Sequence, residues 1–154
     1  MRQKKDFGCG FYTTNSKEQD EKFARLKARR SRSAKGYVEV FGFQTIEGLV
    51  IKKFNSADQE WFDFVLTNRG HIDLAKKYMH SESDIVIGPA ANDAVGLVLN
   101  QYISGAYGDP LNVEAKVTAV RLLLTQELHN QVFFGTGLAI SCLSFVEVYD
   151  VLLD

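Results

Sequence analysis

In the stretch DFGCGFYTT, from Asp6 to Thr14, Gly8 and Gly10 bracket Cys9, and Phe11 and Tyr12 follow at once. Glycines here allow close backbone approach, and Tyr12 offers an aromatic face with a hydroxyl at its rim. Those properties suit recognition of a flat ring with polar edges. The competing use is structural, a tight strand entry with Phe11 and Tyr12 in the core, and residue types alone lean that way. Three other stretches set a polar or glycine-rich element against an apolar one: WFDFVLTNR from Trp61, DIVIGPAANDAV from Asp84 and NQVFFGT from Asn130. Binding residues are often presented at such boundaries.

Other chemistries lack their signatures. There is no phosphate-binding GxxxxGK[ST], no GxGxxG opening a helix, no GxSxG elbow and no HExxH. His71, His80 and His129 are isolated and read as surface residues. Asp58, Glu60 and Asp63 read as the solvated face of a helix rather than a paired-carboxylate site. Cys9 and Cys142 lie far apart, outside any CxxC or zinc-finger spacing, so neither a metal site nor a disulfide is expected. The 154 residues suit a single domain spanning 1–154, and 18 Lys+Arg against 19 Asp+Glu leave a formal charge of −1. With neither a signal peptide nor an apolar membrane-spanning run, the expected compartment is the cytoplasm.

The elements that must position these residues follow from spacing. Ser16 and Gln19 have capping-box spacing, and acidic residues precede basic ones through NSKEQDEKFARLKARRSRS, which predicts a helix with Phe23, Ala24 and Leu26 as its apolar stripe. Gly36–Phe43 and Leu49–Phe54 read as two strands, arranged as a hairpin. Ser56 and Gln59 predict the cap of a buried helix carrying Trp61, Phe62, Phe64 and Val65. Asp84–Pro89 reads as a central strand, followed by a helix from Asn92 or Asp93 to Tyr102. Asp109 as cap and Pro110 at the first helical position start another, with Val113, Val117, Val120, Leu123 and Leu124 on its apolar side. The end of the chain reads as two strands flanking a short helix around Leu138–Leu143. Such a mixed order implies an α+β fold.

The segments KDFGCGFYTTNSKEQDEKFARLKA, EWFDFVLTNR, DIVIGPAANDAV and NQVFFGTGLAISCLSFVEVYDV together resemble an uncharacterised bacterial domain-of-unknown-function family, in the same order from about Lys5 onward. That family is grouped with the ADP-ribosyltransferase superfamily and with the toxin halves of toxin–antitoxin pairs. The resemblance implies an ADP-ribosyltransferase-like split β-sheet around a cleft that holds NAD+ as co-substrate, with no metal. It implies that Tyr12 stacks against nicotinamide, with Gly10, Thr13 and Thr14 beside it, while Phe11 alternates into the core. It places Gln131 where many relatives carry the glutamate that polarises the ribose. Asn68 and Arg69 are the next cofactor-binding candidates. A guanidinium there either grips a pyrophosphate or interacts with the helix dipole. Two departures stand out: the YHGS-like first strand of the family precedes the point where this chain begins, and Gly135 stands where relatives tend to have histidine.

The implied function is ADP-ribosylation of a macromolecular target by a toxin-like component of a two-gene system. The alternative is a catalytically inactive module of the same fold that binds a partner protein or RNA. For Lys22, Arg25, Lys27, Arg29, Arg30, Arg32 and Lys35 three uses are open: a solvated helix end, phosphate contacts on RNA, or docking of an acidic antitoxin.

Overall fold

A computed structural model describes residues 5–75 and 83–154, so His80 lies outside the described residues. The elements run β1 (Phe11–Thr14), α1 (Lys17–Arg30), β2 (Lys35–Phe43), β3 (Ile51–Lys53), α2 (Gln59–Asn68), β4 (Ile85–Pro89), α3 (Asp93–Ile103), α4 (Val113–Leu124), β5 (Asn130–Phe134), α5 (Gly137–Ser141) and β6 (Leu143–Leu152). The fold is α+β with two sheets, a four-stranded one ordered β1-β5-β4-β3 and a two-stranded ribbon of β2 and β6.

Ser16 caps α1 by accepting from the Gln19 N–H at 3.3 Å, and Glu18 and Asp20 in the first turn with Arg29 and Arg30 in the last complement the dipole. The expected stripe is corrected. Ala24 and Ala28 are buried, whereas Phe23 is 58% exposed and Leu26 also points outward. The reason is the closeness of the strand beneath: a Cβ on Gly36 of β2 would fall 2.5 Å from the Ala24 carbonyl oxygen, so only small residues fit this contact.

The expected hairpin of β2 with β3 does not form. β2 pairs antiparallel with β6, and β3 joins the other sheet, parallel to β4. A parallel neighbour needs a crossover, and α2 supplies it. The cap of α2 is Asp58 rather than Ser56, its carboxylate accepting from the Trp61 N–H at 3.0 Å. Trp61 through Leu66 are all buried, and the Trp61 indole donates to the Pro89 carbonyl at 3.1 Å. Asp63 is among them, 4% exposed, so the solvated-face expectation fails for it. Its carboxylate accepts from Lys116 Nζ at 2.7 Å, and the same ammonium donates to the Leu74 carbonyl. A charge is tolerated there because a partner and a further acceptor surround it.

β4 is an interior strand between β5 and β3, and Asn92 caps α3 by accepting from the Val95 N–H at 3.0 Å. α4 begins later than its sequence suggests. Asp109 accepts from the Leu111 N–H in a turn that contains Pro110, and Asn112 is the residue before the helix. Its buried side is Ala115, Ala119 and Leu123, not the valine stripe. Among the described residues no helix is long and apolar enough to cross a membrane.

Candidate functional site

Antiparallel pairing sets Tyr12 opposite Phe133 and Thr14 opposite Gln131 on β5, which in turn oppose Val86 and Gly88 on β4. Side chains alternate along a strand, so Tyr12, Thr14, Gln131 and Phe133 share one face of the sheet. Phe11, Thr13, Val132 and Phe134 take the other.

On the first face the Tyr12 ring lies 4.9 Å from the Phe133 ring, and Lys5 Nζ sits 4.9 Å from its centroid. The Tyr12 hydroxyl donates to the Gly8 carbonyl at 2.7 Å and accepts from the Phe7 N–H at 3.1 Å. Burial pushes its pKa up to about 12, with the Phe7 N–H opposing and the charges of Asp6 and Cys9 adding to the rise. Tyr12 is therefore a neutral phenol at ordinary pH and not a base. Gln131, diagonal to Tyr12 across the paired strands, has its Nε2 buried and without a hydrogen-bond partner. Gly10 is required by packing, since a Cβ there would meet the Phe133 ring at 2.4 Å and the Phe134 carbonyl oxygen at 2.5 Å.

Thr14 lies on the same face, opposite Gln131, whereas Thr13, Asn68 and Arg69 are not gathered with the pair. Thr14 Oγ1 accepts from the Ser16 N–H at 3.0 Å, helping the chain turn into α1. Thr13 faces the other way and donates to the Val132 carbonyl. Asn68 donates to the Phe64 carbonyl at 3.0 Å. Arg69, at the end of α2, donates through Nε to Asp6 at 2.7 Å, so its guanidinium ties down the opening loop. Asn68 does share a cavity of about 370 Å³ with Gly8, Cys9 and Gly135. Gly135 is closely packed, its Cβ position lying 2.7 Å from the Phe133 ring, so histidine would require Phe133 to move.

The second face opens onto a larger cleft of about 460 Å³ between the four-stranded sheet and β2. Phe11, expected in the core, is 38% exposed and forms part of this wall, edge-on to Phe41 at 5.6 Å. Phe43 and Phe134 continue the wall, and Asp20 and Glu39 add carboxylates. Burial raises the pKa of Asp20. Reading from the sequence missed Asp20, Glu39, Phe41 and Phe43 as neighbours of β1. The alternation in YVEVFGF was a usable signal for a strand, but not for which strand it would face.

The basic segment is divided by its partners. Arg25 donates to the Leu152 carbonyl and pairs with Glu21, and Lys35 pairs with Asp150. Lys22, Arg29, Arg30 and Arg32 are exposed, the last with a left-handed φ of 55° just beyond α1. Cys9 is exposed and Cys142 buried, both as free thiols. Among the described residues no three His, Cys, Asp or Glu side chains gather as metal ligands.

No curated protein and no solved structure matches the chain. A family model described as "Protein of unknown function (DUF3990)" matches residues 1–145, and the chain belongs to that family.

Proposed function

We propose that this protein is an NAD+-dependent ADP-ribosyltransferase, the toxin-like member of a toxin–antitoxin pair, acting on a macromolecular acceptor. One observation carries the reading: Tyr12 and Gln131 share a face of paired strands, and the Gln131 amide donor is buried with nothing to bond. A buried donor left unmade costs roughly 1–3 kcal/mol, and a ribose hydroxyl or carboxamide oxygen would satisfy it. In the reaction the acceptor's nucleophile forms a bond to the ribose C1′ as the bond to nicotinamide breaks. The electron pair leaves with the neutral nicotinamide, and the nucleophile's proton passes to solvent. Tyr12 contributes an uncharged aromatic surface for the ring. Gln131 orients the ribose by hydrogen bonding but offers no negative charge to the oxocarbenium-like centre, so its contribution is positional.

A second reading has its own support. The Tyr12 hydroxyl already makes two bonds, Lys5 lies over its ring, and Arg69 is engaged by Asp6. These contacts favour an inactive module of the same architecture that binds a partner protein or RNA. Calorimetric titration with NAD+, together with an assay of nicotinamide release, separates the two. The transferase reading expects binding that Gln131→Ala weakens, and release that Gln131→Glu raises by about 10²-fold through the restored carboxylate. Absence of binding up to about 1 mM, together with no release by Gln131→Glu, would leave the inactive module.

A further inference from the structure

α4 buries Ala115, Ala119 and Leu123 against its own domain, yet its opposite side is also apolar. Val113 is 73% exposed, Val117 42% and Leu124 53%, with Val120 half-buried at the edge of the same stripe. The alternating four- and three-residue spacing of these positions is that of a coiled-coil seam. One flank of the seam carries Glu114 and Arg121, both exposed and one heptad apart. The other flank carries Lys116 and Leu123, which are engaged inside the domain, Lys116 with Asp63 and Leu123 fully buried.

We propose that the protein self-associates through α4, two copies crossing antiparallel about a two-fold axis. That direction sets Val113 against Leu124, and Val117 against Val120, of the second copy. It also brings Glu114 beside Arg121 of the second copy, and symmetry makes this pair twice. Parallel helices would instead turn each charged flank toward the flank of Lys116 and Leu123, where no free charge answers it. The seam is thus complementary to itself in one orientation, which selects a second copy of this chain as its occupant. The inference stands independently of the NAD+ reading.

Sedimentation equilibrium on the full chain tests it. The expected result is a mass rising from monomer to dimer between about 1 µM and 1 mM, with Val117→Glu raising the dissociation constant by about tenfold or more. Glu114→Arg and Arg121→Glu should each weaken the dimer about fivefold, by setting like charges together twice. The double variant Glu114→Arg with Arg121→Glu should return to within about threefold of the original, because the pairs are re-formed in reverse. Circular dichroism confirms folding of each variant, and the charge pair reads the interface even where Val117→Glu fails to fold. A monomer throughout this range, as expected if a different protein covers α4, overturns the proposal. So does a dimer insensitive to these changes, or a double variant no better than the single ones.

Discussion

Against the four-stranded sheet, α2 packs Trp61, Phe62 and Leu66 without exposure, whereas on the ribbon of β2 and β6 the buried apolar cluster is Ala24, Val38 and Val151. The sheet is held by volume-filling side chains that join β1, β4 and β5 to α2, α3 and α4 in one hydrophobic cluster of aromatic and aliphatic residues. The ribbon is held by a long antiparallel ladder and one closely applied helix. Tyr37, Phe145, Val148 and Leu152 of the ribbon remain exposed. Two strands alone are marginal in water, so the ribbon depends on α1 for persistence. It should open before the sheet does, although both border the same cleft.

The largest effect that would break this contrast is a core truncation. Trp61→Ala removes a fully buried indole and its bond to Pro89, and should lower unfolding free energy in urea by about 3–5 kcal/mol. A loss below about 1 kcal/mol would mean that the helices do not carry the sheet. Gly36→Ala addresses the ribbon, because its Cβ would press on the Ala24 carbonyl, for about 1–3 kcal/mol. Amide exchange sharpens the result: β2 and β6 should lose protection while β4 and β5 keep theirs. Uniform loss would show the two regions to be one cooperative unit. Tyr12→Phe deletes the bonds to Gly8 and Phe7, with an expected loss of about 1 kcal/mol. Retained NAD+ affinity in that variant would assign the ring, rather than the hydroxyl, to any binding role.

The smallest effect is a pH dependence. The Thr136 hydroxyl and then the Val50 N–H hold the Asp84 carboxyl below its ordinary range, joining β4 to α5 and to the chain entering β3. A carboxylate whose folded pKa is depressed stabilises the fold above its unfolded pKa, near 3.9, and loses that contribution as pH falls through the folded value. The urea midpoint should therefore drop on acidification below about pH 4, and Asp84→Asn should flatten this part of the profile. An unchanged slope would show that Asp84 makes no net contribution.

Much of the local structure was legible before any contact was known. The capping serine of α1, the apolar run of β4 and the asparagine before α3 each act within a few residues of themselves, and each does what its spacing suggests. The candidate pair was legible in part. Tyr12 stands out by residue type and Gln131 by a family likeness, but their common face depends on strand register, which neither segment encodes alone. The cleft wall was not legible, because Phe41 and Phe11 lie on strands of different sheets.

The sequence by itself determined where backbone segments curl or extend, since propensity, caps and turn residues are local preferences. Tertiary structure alone decided that β3 leaves β2 for β4, that α4 buries alanines and turns its valines outward, and that Asp63 meets Lys116 in the interior. Each of those outcomes balances contacts between residues distant in the chain. A side chain's type states what it can bury or bond, but only the packed neighbour decides which of several apolar faces is covered and whether a buried charge finds its counter-charge.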